Sequence, residues 1–128
     1  MKKIALMILI AIVVSLPSQA QKKRTITHCR VTVYQPMKSQ TDDSPLITAD
    51  GSRIDLGKLK RKEIRWCAIS RDLLWLFPKG KPKRILIDGM GVYEVRDTMN
   101  ERFDHCVDIL IHPSDKRRIN ERKKITIL

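Results

Sequence analysis

Acids are scarce in this sequence: ten Asp and four Glu stand against 26 Lys and Arg in 128 residues. A carboxylate inside an apolar segment is therefore conspicuous, and Asp108 in Cys106-Val107-Asp108-Ile109-Leu110-Ile111 is the clearest case. On an alternating strand Val107, Ile109 and Ile111 share one face, which leaves Asp108 with Cys106 and Leu110 on the other. Among apolar neighbours an ionised carboxylate is desolvated, so such a group tends to stay protonated. A carboxyl held neutral near pH 7 can give up a proton, which a general acid must do to break a glycosidic bond. Asp97, ending the run Gly91 to Thr98, is expected to sit with Tyr93 and Val95 in the same way. If its strand neighbours that of Asp108, the two carboxyls form a coupled pair. The plainer reading of an Asp at a strand end is a turn cap or an ion pair with a basic side chain. A metal set can also be written from His105, Cys106, Asp108 and His112, but its spacing matches no closed zinc pattern, and no metal or cofactor is expected.

These groups need a frame to hold them. Thr25 to Tyr34 alternates, with Cys29, Val31 and Val33 on one face, and reads as a strand. Ile64 to Ser70, Arg84 to Ile87, Gly91 to Thr98, Cys106 to Ile111 and Lys123 to Leu128 are further short strands. Residues 36–62, rich in Ser, Thr, Asp, Gly and Lys, read as a long functional loop that carries Asp42-Asp43. Arg71 to Phe77 reads as one helical turn or an irregular corner. Ser114 to Lys124 is the one helical candidate of any length, although it has almost no apolar face. Six short strands predict a mainly β fold, a small closed barrel with one or two short helices. Cys29, Cys67 and Cys106 allow at most one internal bridge, and each lies in a run where a thiol packs as a small hydrophobe.

The N-terminus predicts the compartment. Met1-Lys2-Lys3, an uncharged stretch from Ile4 to Leu16 and Pro17-Ser18-Gln19-Ala20 have the form of a secretory signal peptide over 1–20, cleaved before Gln21. The apolar run is shorter than a membrane span, so no stable anchor is expected. Residues 21–24 form a basic spacer and 25–128 the single folded domain. That predicts an exported protein. The formal charge is +12, and residues 1–20 contribute only two lysines to it. The basic runs at Lys58 to Lys62, Lys79 to Arg84 and Lys116 to Lys124 read individually as solvated surface, yet together they favour an anionic partner such as an envelope polymer. Nucleic acid is excluded as that partner by the signal peptide and by the lack of interleaved aromatic and basic residues.

Four ordered segments resemble the three-aspartate ("3D") domain family. They are Thr41-Asp42-Asp43-Ser44-Pro45-Leu46-Ile47-Thr48-Ala49-Asp50-Gly51, Cys67-Ala68-Ile69-Ser70-Arg71-Asp72-Leu73-Leu74, Gly91-Val92-Tyr93-Glu94-Val95-Arg96-Asp97-Thr98-Met99-Asn100-Glu101-Arg102, and Val107-Asp108-Ile109-Leu110. That family is grouped with lytic transglycosylases similar to the membrane-bound lytic transglycosylase A and rare lipoprotein A groups, so the resemblance implies a six-stranded double-psi β-barrel. It places the three aspartates on Asp42, Asp97 and Asp108. Met99-Asn100 departs from the family pattern, which has Gly after Asp-Thr.

The resemblance further implies cleavage of the β-1,4 bond between N-acetylmuramic acid and N-acetylglucosamine in peptidoglycan glycan strands, leaving a 1,6-anhydro end. A catalytically silent barrel that only grips peptidoglycan is the alternative. Asp108 would be the acid and then the base, Asp97 would raise its pKa, and Asp42 would line the opposite wall. Thr98 and Asn100 fall in the motif around Asp97 as substrate-binding candidates. Thr41, Ser44 and Thr48 either bond sugar hydroxyls or build the loop's own turns. Arg102 either neutralises the carboxylates or a substrate carboxylate, or forms a surface ion pair. Trp66 and Trp75 read first as packing and second as sugar-stacking platforms; His112 reads as structural. A monomer is expected.

Overall fold

The alternating β-branched runs form six strands in a computed structural model that describes residues 24–38 and 40–128. The expected signal peptide and its cleavage point lie outside those residues. The strands are β1 (Ile26–Tyr34), β2 (Trp66–Ile69), β3 (Arg84–Ile87), β4 (Gly91–Thr98), β5 (Cys106–Leu110) and β6 (Asn120–Ile127). They close into a barrel in the order β1-β5-β2-β4-β3-β6. Neighbours β1 and β5 run parallel, as do β2 and β4, and the other four pairs are antiparallel. Exchanging β1, β2 and β3 for β4, β5 and β6 reproduces both the order and the directions. The barrel is thus two interlocked and topologically equivalent three-strand units, in keeping with the double-psi expectation. Closure gives every strand two partners and leaves no open sheet edge.

Period-two alternation fills the interior. Val31, Cys67, Ile69, Ile85, Ile87, Val107, Ile109 and Ile125 are fully or almost fully buried there, each contributing about 1.5–3 kcal/mol relative to exposure for the larger side chains. A 3-10 helix, Arg71–Leu76, follows β2 and adds Leu73 to the same core, with Phe77 just beyond it.

A second, smaller cluster of Tyr34, Ile54, Leu59, Ala68, Met99 and Leu110 lies on the outer face of β1, β5, β2 and β4. The long connection after β1 covers it. That connection, expected to be loop throughout, contains a short helix, α1 (Leu56–Lys60): Asp55 caps it by accepting the Lys58 amide at 3.0 Å, and Leu59 anchors it. The helical candidate over Ser114 to Lys124 does not form a helix. Instead β6 begins at Asn120, where its polar residues pair with β1 alone, as Thr32 with Asn120 and Arg30 with Arg122. With a second neighbour only from Ile125 onward, the first half of β6 needs no alternating apolar face.

Candidate active site

Where β1, β5, β2 and β4 lie side by side, Thr32 pairs with Asp108, Asp108 with Ala68, and Ala68 with Asp97. These four residues form one transverse row. The two acid-bearing strands are therefore not neighbours, so the condition set for a directly coupled pair is not met; β2 lies between them and contributes the small Ala68. The expected face of Asp97 is also corrected. Strict alternation would send it into the interior with Tyr93 and Val95, but the register of β2 and β4 slips so that Cys67 opposes Val95 and Ala68 opposes Asp97. Arg96 is the extra residue of this β-bulge, and the slip turns Asp97 to the outer face. The Arg96 carbonyl accepts instead from the Asp50 amide at 3.3 Å.

Asp97 is held by three donors. Its Oδ1 accepts the Ala49 and Thr98 amides at 2.8 and 2.9 Å, and its Oδ2 accepts the Tyr34 hydroxyl at 3.2 Å. Burial, followed by the charge of Asp97 and that hydrogen bond, pushes the Tyr34 phenol well above its ordinary pKa, so it stays a donor. The Ala49 amide is presented by a tight turn. Thr48 Oγ1 donates to Asp50 Oδ1 at 2.6 Å, the Gly51 amide donates to the Thr48 carbonyl at 2.9 Å, and Gly51 takes φ +84°, a region a Cβ disfavours.

Asp108 is half-buried on the same row. Burial raises its pKa from 3.8 to about 6; the Thr32 hydrogen bond pulls the other way and the charge of Asp97 adds to the rise. Thr32 Oγ1 lies 2.9 Å from Asp108 Oδ1 and 3.5 Å from the Val107 carbonyl. One hydroxyl can thus serve both protonation states. It donates to the carboxylate, or it turns toward Val107 and accepts from the carboxylic acid.

An open depression of about 610 Å³ adjoins Asp97, bordered by Ala49 and Asp50, by Glu94 to Thr98, and by Lys81 to Lys83. Asp108 lies across Ala68 from it. Within the depression Arg96 is committed to Glu94 at 2.7 Å and to Asp50 at 3.6 Å.

The remaining candidates are placed elsewhere or used locally. Asp42 is exposed and its Oδ1 accepts the Ser44 amide at 2.8 Å, closing the loop's own turn; the structure does not bring it to the pair. Thr41 Oγ1 donates to the Met37 carbonyl and Thr48 to Asp50, so both also build local structure. Thr98 contributes its amide to Asp97, whereas Asn100 accepts the Arg102 amide and Arg102 stacks on Phe103 at 4.8 Å. His105 pairs with Asp72 and His112 with Ser114. Among the described residues no three His, Cys, Asp or Glu side chains are arranged to hold a metal ion. The first reading of the tryptophans holds for one only: Trp66 is half-buried beside Arg96, but Trp75 is 80% exposed. Cys29, Cys67 and Cys106 are unpaired thiols, and burial pushes Cys29 to about 12.

The sequence reading missed Thr32, Tyr34 and Ala49. The first two were visible in principle, since alternation puts them on the face opposite Cys29, Val31 and Val33. Ala49 acts through its backbone and left no side-chain signal. Comparison of the chain with family models, curated proteins and solved structures finds no match in any of the three.

Proposed function

We propose that this protein is a peptidoglycan lytic transglycosylase, exported by residues 1–20 to the bacterial periplasm or cell envelope, that cuts the β-1,4 bond between N-acetylmuramic acid and N-acetylglucosamine. The observation that carries the reading is the pairing, on one row, of a desolvated Asp108 with a pKa near 6 and a triply bonded Asp97. The four motifs that resemble the 3D family support it independently.

In this mechanism protonated Asp108 donates its proton to the glycosidic oxygen as the C1–O bond breaks. The Asp108 carboxylate then takes the proton from the C6 hydroxyl of the same muramyl residue, whose oxygen closes on C1 to give the 1,6-anhydro sugar. No water is consumed. Asp108 ends the cycle protonated, as it began, so no second carboxylate is needed as nucleophile. A pKa near 6 suits a group that must give and then take a proton near neutrality. Asp97, held by Tyr34, Ala49 and Thr98, stabilises the positive charge that develops at C1, and Thr32 follows Asp108 through both states.

The test is incubation of the full chain with purified peptidoglycan and mass spectrometry of the released muropeptides. Anhydro ends are expected from the wild type. Reducing ends would make water the acceptor, and no release from a chain that still binds peptidoglycan would establish the silent-binder alternative.

A further inference from the structure

We propose that Lys81 and Lys83 recognise a carboxylate on the 3-O substituent of the muramyl sugar, and so orient the glycan strand across Asp97; this rests on the transglycosylase reading. The depression beside Asp97 carries charges of both signs. Asp97, Asp50 and Glu94 lie along it with Arg96, whose guanidinium is used by Glu94 and Asp50. Lys81 and Lys83 border the same depression, and among the described residues neither forms an ion pair.

Lysines in a basic run are usually solvated surface, but two features separate this pair from that default. The segment is fixed: the Val95 amide donates to the Lys83 carbonyl at 2.9 Å, tying it to β4 beside the bulge, and Pro82 restricts the backbone between the two lysines. They also share a depression with the carboxylate assigned to stabilise C1. In a β-1,4 strand of alternating N-acetylglucosamine and N-acetylmuramic acid, only the muramyl unit carries an acid, either the free lactyl carboxylate or the carboxylates of an attached peptide. That substituent sits on the same ring as the bond to be cut, so a group that reads it must lie about one sugar ring from the catalytic acids. Lys81 and Lys83 border the same depression as Asp97. The carboxylates of the depression repel the same substituent, so its place beside the lysines favours one strand polarity.

The experiment uses Asp108→Asn chain, which should bind without cutting, and calorimetric titration with three tetrasaccharides: neutral N-acetylglucosamine tetramer, peptide-free muramyl tetramer and peptide-bearing muramyl tetramer. The expected result is binding of at least one muramyl ligand about tenfold tighter than the neutral one at low salt. Adding Lys81→Gln and Lys83→Gln should erase that preference and leave neutral-ligand affinity unchanged. Preference for the peptide-free ligand would assign the lactyl carboxylate, and preference for the peptide-bearing one the stem peptide. Equal binding of all three ligands, or a preference that survives the lysine changes, would overturn the inference while leaving the transglycosylase reading intact. That reading fails separately, through absent anhydro products from the wild type.

Discussion

The two three-strand units of the barrel exchange without changing its topology, yet at equivalent points of the transverse row they carry different chemistry. Asp108 on β5 stands where the other unit has Ala68 on β2, and Thr32 on β1 stands where the other has Asp97 on β4. Only the β2–β4 pair is bulged; β1 and β5 keep a regular register. The symmetric frame supplies rigidity, and the site arises where symmetry is broken. One unit contributes both acids, Asp108 short of hydrogen bonds and Asp97 saturated with them, and the other contributes Thr32 and the small Ala68.

The comparison is broken most severely at its centre. Ala68→Asp would make the two units alike at that point of the row and place a third carboxylate between Asp97 and Asp108 in a position that is 4% exposed. Loss of about 3–5 kcal/mol at neutral pH is expected, with partial recovery in acid as the carboxyls protonate. Denaturant melts at pH 7 and pH 4 check this; equal loss at both would mean sterics dominate over charge.

Asp108→Asn should remove anhydro-muropeptide release, by roughly 10²–10⁴-fold if only general acid–base catalysis is lost, while stabilising the fold near neutrality. In the wild type the folded pKa of about 6 lies above the ordinary 3.8. Stability is therefore undiminished below about pH 3.8 and falls as pH rises toward 6, because the unfolded chain ionises first. The difference amounts to roughly 3 kcal/mol above pH 6, from about 1.4 kcal/mol per unit. The Asn variant escapes that fall. Its melting temperature should exceed the wild type's at pH 7 and match it near pH 3.5.

Smaller effects sharpen the contrast between the two acids. Asp97→Asn removes a charge that raises the Asp108 pKa, so the activity optimum should move to lower pH. Thr32→Val removes a hydrogen bond that lowers it, and the optimum should move to higher pH. Shifts in the same direction would show that Asp108 does not set the profile. Smallest of all, Trp75→Ala should change stability by no more than about 0.5 kcal/mol, given its exposure, while weakening glycan binding if the ring stacks on a sugar. Unchanged affinity in the same titrations would leave Trp75 outside the groove.

Much of this is readable in the order of the residues. Isoleucine and valine at alternate positions announced β1, β3 and β5, Tyr93 with Val95 announced β4, and the break in that pattern at Asp108 announced the acid. The orientation of Asp97 was hidden, because the bulge depends on a carbonyl of Arg96 bonding an amide of Asp50, a contact with no signature in residue type. Likewise β6 begins in charged residues that pair through their backbones. Equivalence of the two units left no internal repeat, since shared strand directions need not be filled by shared side chains.

The interlock also governs how the chain can become a folded object. β1 bonds only to β5 and β6, and β2 only to β4 and β5, so neither early strand finds a partner until distant parts of the chain exist. Such a topology has high contact order and folds slowly, with the loop-closure cost met before non-local pairing returns anything. A partly synthesised chain has no stable barrel to adopt. Once β5 and β6 arrive, closure is cooperative, and the row that carries Asp108 and Asp97 is assembled in the same event as the fold itself.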